Sequence, residues 1–158
     1  MTRRLLGLFP GLALIGTMLQ AVWEDYKPVS LSDAWARTGV VTEPGASAPS
    51  YSLVGAPGLY KFRVKATYTG KMHKVAAART GLISKWGSVM ASEDFTKRFE
   101  DEIQVRADGL TVWVALQNGL LGPWRMECKA GTDVELFMMY IGSFHRDRVF
   151  LVNDFEAK

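Results

Sequence analysis

The chain of 158 residues has few of the residues from which most catalytic and metal centres are built. It contains one cysteine, Cys128, and two histidines, His73 and His145. A single thiol excludes an internal disulfide, and two histidines without recognisable ligand spacing do not predict a zinc site. The catalytic signatures GxSxG, HExxH, GxGxxG, CxxC and the P-loop are also missing. These absences predict a protein that is not an enzyme and that holds no cofactor and no metal.

The chain also lacks a strong charge of either sign. Apolar residues make up 48% and charged residues 22%, as in ordinary globular proteins. The formal net charge is +3, but Arg3 and Arg4 lie in an N-terminal segment that we expect to be removed. The remaining 17 basic and 16 acidic residues leave a net charge of +1. So small an excess excludes a globally basic protein that coats nucleic acid.

Residues 1–21 have the three-part pattern of a secretory signal peptide. Arg3 and Arg4 form a basic start, residues 5–19 are almost wholly apolar, and Ala21 is a small residue at which cleavage can occur. The apolar run is shorter than a membrane-spanning helix needs. We therefore expect cleavage after Ala21 and a periplasmic or secreted protein, whose membrane contact through the signal is transient. The alternative is an uncleaved signal anchor in the inner membrane.

Residues 22–58 are predicted to form an N-terminal extension and linker. Within them, Ser30 followed three residues later by Asp33 is a helix-capping pattern, so a short helix is expected there. From Gly39 to Gly58 the sequence is dominated by Gly, Pro, Ser and Ala, which is typical of a linker or an ordered loop. The main domain is therefore expected at residues 59–158.

The main domain contains two strong strand signals. Residues 60–69 alternate apolar and polar side chains over ten positions. Farther along, Asp108-Gly109 is typical of a type I′ hairpin turn, because both turn positions need a positive φ. Counting outward from this turn places the apolar pairs Val105/Val112 and Ile103/Val114 on one face, and Gln104, Arg106, Thr111 and Trp113 on the other. A slip of one residue would mix the two faces, so the sequence predicts one register.

The remaining segments give weaker signals. Residues 71–90 fit either a short helix or irregular strands. Ser92 is a plausible N-cap for a helix over residues 93–102, with Phe95 and Phe99 on one side. The later elements are predicted as a helix over residues 120–128 and strands over residues 134–141 and 148–155.

The predicted class is all-β with short helices (β+α), because five strands carry one helix between the third and the fourth. That is the order of the OB-fold, a five-stranded Greek-key barrel, here with an inserted helical segment after the first strand. The segment KAGTDVELFMMYIG followed by DRVFLVNDFE resembles the last two strands of bacterial OB-fold proteins of the nucleic-acid-binding-like superfamily. Their Gly-Asp pair corresponds to Gly131 and Asp133, with one residue between them. The resemblance covers residues 59–156 and leaves the ligand open, since that superfamily binds DNA, RNA, sugars and proteins.

OB-folds bind ligands on the outer face of their second and third strands, framed by two loops. In this sequence that surface combines basic groups with an aromatic ring, as a stacking platform with electrostatic guidance requires. The predicted ligand-binding residues are Lys61, Arg63, Lys65, Gln104, Arg106, Trp113, His145 and Arg146. The simpler alternative is that the basic residues are merely solvated and that Trp113 is covered.

These patterns predict a non-enzymatic binding or adaptor module of the cell envelope, whose outer face takes an envelope protein or an anionic ligand. An OB-fold that binds single-stranded nucleic acid or an oligosaccharide is the alternative, although an exported protein meets little nucleic acid. A small hydrolase is a second alternative, which would require His73, His145 and a carboxylate to meet in one pocket. Carboxylates at strand ends, such as Asp101 and Glu102, are expected to face solvent.

Overall fold

A computed structural model describes residues 24–38, 51–54, 60–90, 95–144 and 147–158. Over these residues the protein is mostly β-sheet with a few short helices, as the sequence predicts. Residues 1–21 lie outside the described residues, and no helix within the described ranges is long and apolar enough to cross a membrane. The elements are β1 (Lys27–Pro28), α1 (Leu31–Arg37), β2 (Tyr51–Leu53), β3 (Lys61–Lys74), α2 (Ala77–Val89), β4 (Asp101–Ala107), β5 (Leu110–Leu116), α3 (Leu121–Glu127), β6 (Asp133–Phe144) and β7 (Asp147–Ala157), with 3-10 turns at Phe95–Arg98 and Asn118–Leu120.

The described strands form one sheet in the order β1-β3-β4-β5-β7-β6-β2, with an additional pairing between β3 and β6. That extra pairing joins β3, β4, β5, β7 and β6 into a closed cycle, in which each strand has a neighbour on both sides. Within the cycle, β5 and β7 are parallel over two residue pairs, Ala115 with Leu151 and Leu116 with Val152. The other four pairings are antiparallel. The extension joins this sheet, because β1 pairs with β3 and β2 pairs with β6.

The hairpin of β4 and β5 has the predicted register. Its turn residues both have a positive φ, 53° at Asp108 and 76° at Gly109, as a type I′ turn requires. The pairing runs without a shift from Asp101 opposite Leu116 to Ala107 opposite Leu110. The apolar face of the hairpin is buried and its polar face is directed outward, so the sequence prediction is confirmed for this element.

Helix α1 begins at the predicted capping residue. The Ser30 hydroxyl accepts a hydrogen bond from the backbone N–H of Asp33 at 3.0 Å. The carboxylate of Asp108 also accepts hydrogen bonds from the backbone N–H groups of Leu31, at 2.8 Å, and Ser32, at 3.3 Å. The hairpin turn therefore satisfies the first free amides of a helix that lies far from it in sequence.

Strand β3 continues past Gly70, where the predicted strand ended. Gly70 has φ 88°, and the pairing of β3 with β4 shifts between Tyr68 and Met72. This shift is a β-bulge with two extra residues on β3, because Tyr68 and Met72 are four residues apart while their partners Val105 and Ile103 are two apart. The strand therefore continues with the same alternation, and Met72 packs on the inner cluster as Tyr68 does. As a result His73 lies in a strand, directly opposite Glu102 of β4.

The predicted helix over residues 93–102 is wrong over its described part. Residues 95–98 form a single 3-10 turn, and Asp101 already belongs to β4. Phe95 and Phe99 do contact each other, with ring centroids 5.3 Å apart, but Phe95 also packs on Trp86 of α2 at 4.9 Å. Their spacing therefore reflects packing between elements rather than a helical stripe.

An inner apolar cluster fills the closed cycle of strands. It contains the inward-facing side chains of all five strands, together with residues of α1 and α3. Trp124 of α3 is fully buried, and its ring meets Tyr68 at 5.1 Å and Phe155 at 4.8 Å. The predicted helix over residues 120–128 is thus confirmed as α3, and it packs on the core through Trp124.

A second apolar cluster lies on the opposite side of the sheet, under α2. Leu82, Ile83 and Trp86 of α2 are buried against side chains of β5, β6 and β7, including Ala115 and Leu151. These strand residues have the opposite alternation from the inner cluster, so α2 covers part of the outer face. The insertion between the first two strands of the cycle therefore supplies a second core.

Candidate functional site

The outer face of β3, β4 and β5 consists of rows of cross-strand neighbours. Three rows are Thr67–Arg106–Thr111, Thr69–Gln104–Trp113 and His73–Glu102–Ala115. Helix α2 covers Glu102 and Ala115, which are both buried and which we call the covered end. The open end comprises Lys65, Thr67, Gln104, Arg106, Thr111 and Trp113, and His73 lies at the border between the two ends.

The open end holds two cations that have no counter-ion in the part of the chain that the structure describes. Lys65 and Arg106 are exposed and line one cleft of about 310 Å³. Among the described residues neither side chain forms a hydrogen bond or an ion pair, whereas Lys158 in the same cleft is bonded to Glu135 at 2.9 Å. The carboxylate of Asp133 at the cleft accepts a hydrogen bond from the Thr67 hydroxyl at 2.7 Å. The cleft therefore has free positive charge on neighbouring strands.

Lys61 and Arg63 do not join this cleft. Strand β3 pairs with β4 only from Thr67 onward, so its first half lies beside β1 and β6 instead. There Lys61 pairs with Asp25 and Arg63 with Glu135, each at 3.3 Å. These pairs are partly exposed and contribute little to stability.

A second cleft of about 480 Å³ lies between α1 and β3. Two of its lining residues are basic, Arg63 and Lys65, and three are acidic, Asp33, Asp108 and Glu135. Because the carboxylates outnumber the cations, an anion finds less attraction there than in the open-end cleft. The second cleft is therefore the weaker candidate for the anionic ligand predicted from the sequence.

Trp113 is half-buried, and the residue beside it is a histidine. The ring centroids of His73 and Trp113 are 3.9 Å apart, with the ring planes inclined by 50°. The indole is therefore partly occupied by an imidazole of the same chain and presents less open surface than a stacking platform needs. The His73 side chain beside it is 45% exposed.

Glu102 is the charged residue that sequence reasoning placed wrongly. Its side chain is completely buried instead of facing solvent. Arg79 of α2 donates two hydrogen bonds to it, from Nε and Nη2, each at 2.7 Å, and lies 3.5 Å from Asp147. The hydrogen bonds that Arg79 donates to Glu102 raise the pKa of Arg79, so the arginine is charged at any physiological pH. This bidentate pair ties α2 to the outer face.

Asp101 is also buried rather than solvent-facing. Its carboxylate is bonded to Lys74 Nζ at 3.0 Å, directly across the pairing of β3 with β4. The hydrogen bond with Asp101 raises the pKa of Lys74. Asp101 therefore has a structural partner and is not placed as an acid or base toward the open end.

His73 is the described residue with the chemistry of a general base. Its Nδ1 lies 2.6 Å from the backbone carbonyl oxygen of Lys74 and 3.3 Å from Oε1 of Glu102. No serine, threonine or cysteine side chain bonds to it among the described residues. His145, the other histidine that a hydrolase would need, lies outside those residues. The imidazole and a carboxylate thus meet, but the described geometry supplies them with no nucleophile.

Cys128 is not a substitute nucleophile. The thiol is buried, and burial raises its pKa to about 11. A thiol with so high a pKa is almost entirely protonated at neutral pH, and the thiolate is the reactive form. Within the described ranges, no three side chains of His, Cys, Asp or Glu cluster as a metal ion would require.

The structure brings together four of the eight residues predicted for ligand binding, Lys65, Gln104, Arg106 and Trp113. Lys61 and Arg63 lie apart in ion pairs, and His145 and Arg146 fall outside the described residues.

Comparison of the sequence with protein-family models gives no match, and comparison with curated proteins gives none either. Function is therefore inferred from the geometry of the open end.

Proposed function

We propose that the protein is a non-enzymatic binding module whose open end takes an anionic ligand. The observation that carries this proposal is the placement of Lys65 and Arg106 in one cleft, exposed and without a counter-ion among the described residues. Two cations on adjacent strands attract the same anion, and the guanidinium adds a bidentate hydrogen-bonding geometry for carboxylate or phosphate. Gln104 and Thr111 beside them offer further hydrogen bonds to a ligand.

We further propose that the closed cycle of strands is an OB-fold-like barrel. Support comes from the strand order, from the parallel pairing of the third and fifth strands, and from the position of α3 between the third and fourth. In that interpretation α2 belongs to the loop between the first and second strands. The open end is then the part of the usual ligand face that α2 leaves uncovered.

We also infer that the protein acts in the periplasm or outside the cell. The basic start, the apolar run and Ala21 support removal of residues 1–21 during export. Mass spectrometry of the protein recovered from cell fractions is expected to find an N-terminus at Val22. Recovery of a chain that retains Met1 in the cytoplasm would contradict export.

The binding proposal is tested with three defined anions: a galacturonate hexamer, an eight-residue oligodeoxythymidylate and pyrophosphate. We expect the protein to bind at least one of them, with an affinity that falls as salt rises. The double variant Lys65→Ala/Arg106→Ala should bind about tenfold more weakly, the order expected for two exposed charge contacts. Isothermal titration calorimetry at two salt concentrations measures both effects.

The matched control is Arg37→Ala/Arg125→Ala, which removes the same charge from exposed positions of α1 and α3. It should bind like the unmodified protein. An equal loss in both double variants would mean that net charge, rather than the open end, binds the anion. Failure of all three anions, or capture of an envelope protein through a salt-insensitive contact, would overturn the proposal.

A further inference from the structure

The position of the proton on His73 follows from one short contact. Its Nδ1 lies 2.6 Å from the carbonyl oxygen of Lys74. A carbonyl oxygen can only accept a hydrogen bond, so Nδ1 must carry the hydrogen and donate it. Nε2 is therefore the ring nitrogen left to bind a second proton, which makes the imidazole a cation.

The groups that face His73 tolerate a positive charge. Glu102 of β4 lies 3.3 Å from Nδ1 and is bonded to Arg79 of α2, which also contacts Asp147 of β7. These three groups together carry a net charge of −1. Lys74, the neighbour of His73 on β3, is paired with Asp101 and Glu100, and β5 contributes the uncharged Trp113. A protonated imidazole here is therefore stabilised by the buried carboxylate of Glu102, while its ring remains partly exposed.

His73 and Arg106 are well separated along the sheet. It lies opposite Glu102, and Glu102 is four residues from Arg106 along β4. At roughly 3.3 Å per strand residue, that separation is about 13 Å. A small anion in the open-end cleft cannot reach both Arg106 and His73, whereas a chain with repeated negative groups can.

We propose that Nε2 of His73, once protonated, is a second anion contact on this face, and that the ligand is an acidic oligosaccharide extended along the strands. This inference rests on the proposed function of the open end. The amide of Gln104 lies between the two charged points, and the hydroxyl of Thr111 lies beside Arg106; both groups are suited to sugar hydroxyls. The Gln104 side-chain oxygen accepts a bond from Thr69, which leaves the NH₂ group to donate.

The same surface suits stacked nucleobases less well. Trp113 is half-buried, and His73 already lies against it at 3.9 Å, so the indole offers little open face to a base. Affinity that depends on charge and hydrogen bonds rather than on stacking is expected of a carboxylated sugar chain. Single-stranded nucleic acid is therefore an outcome that the test must separate from the proposal.

The test compares a galacturonate monomer, a galacturonate hexamer and an eight-residue oligodeoxythymidylate at pH 5.5 and pH 8.0. The probes keep their charge over this range, so any change in affinity comes from the protein. We expect the hexamer to bind about tenfold more tightly at pH 5.5, the order of one charge-assisted hydrogen bond. The monomer should show no such change, because it cannot span the two points.

Variants at His73 separate its charge from its shape. His73→Gln should lose the pH dependence, and His73→Lys should bind the hexamer tightly at both pH values. Nitrogen-15 NMR of the imidazole, recorded without ligand, should find the hydrogen on Nδ1 in the neutral form and the second proton on Nε2 in the charged form. The NMR result tests the proton placement even if every probe fails to bind.

Each contrary outcome has a distinct meaning. A pH dependence that survives in His73→Gln would point to His145 and overturn the role of His73. Binding that needs Lys65 and Arg106 but ignores pH would overturn this inference and leave the proposed function intact. Absence of binding by any anion would overturn both. Preference for oligodeoxythymidylate, with loss of binding in Trp113→Ala, would replace the oligosaccharide by nucleic acid.

Discussion

The covered end and the open end belong to the same face of the same strands, but they differ in the pairing of their charged side chains. Glu102 at the covered end is completely buried and accepts two hydrogen bonds from Arg79. Lys65 and Arg106 at the open end are exposed and have no counter-ion among the described residues. A buried charge must be paired to be tolerated, whereas an exposed one adds little to stability. The covered end is therefore constrained by folding, whereas the open end is not, which is why we propose it as the binding surface.

The largest effect on stability is expected when one partner of the buried ion pair is removed. Arg79→Ala should lower the free energy of unfolding by about 3–5 kcal/mol, because the completely buried Glu102 loses its bidentate partner. Glu102→Ala should cost less, because Arg79 is partly exposed and keeps its contact with Asp147. Urea denaturation followed by circular dichroism measures the loss. The double variant Arg79→Met/Glu102→Leu should recover much of it, since no unpaired charge remains. Single variants with unchanged stability would show that the pair is not buried in solution.

A smaller loss is expected when the apolar contact of α2 with the face is weakened. Ile83 is completely buried in the outer cluster, so Ile83→Ala should cost about 3 kcal/mol through lost burial and a cavity. Val89 lies on the same helix and is 62% exposed, so Val89→Ala is the matched control and should cost less than about 0.5 kcal/mol. Thermal unfolding of both variants decides the point. Equal costs would mean that α2 does not cover the strands as described.

The smallest effect on stability is expected at the open end. Arg106→Ala or Lys65→Ala should change the free energy of unfolding by less than about 0.5 kcal/mol, because neither side chain has a partner to lose. The same urea titration used for Glu102→Ala provides the measurement. A loss of 2 kcal/mol or more, on the scale of a buried group, would show that these cations are structural and would weaken their assignment to ligand binding.

Much of the fold could be predicted because its signals are local. The Asp108-Gly109 turn determines the hairpin register, and alternation separates the apolar side chains of β3, β4 and β5 from the outward ones. Ser30 with Asp33 marks the start of α1. Each of these features depends on neighbours within a few residues, which are visible in a sequence.

The candidate site was predicted only in part, because it depends on contacts between distant segments. Gly70 marks the predicted end of β3, but in the structure it lies at a bulge that carries the strand on to His73. Arg79 and Glu102 are 23 residues apart, and nothing local indicates that α2 folds back onto β4. Lys61 and Arg63 share the alternation of Lys65, yet they lie on the part of β3 that pairs with β1 and β6, before β3 reaches β4 at Thr67. The sequence shows which residues face outward, but not what covers them.

The parallel pairing of β5 with β7 is the shortest link in the closed cycle of strands, since it consists of two residue pairs. Ala115 and Leu151 form one of these pairs and also belong to the cluster beneath α2. Regions with few contacts open at a lower free-energy cost than the rest of a fold. If α2 detached, Ala115 and Leu151 would lose the cover of its side chains, so we expect the amides that join β5 to β7 to exchange faster whenever the helix leaves the sheet. We therefore expect the insertion between β3 and β4 to help hold the cycle of strands closed.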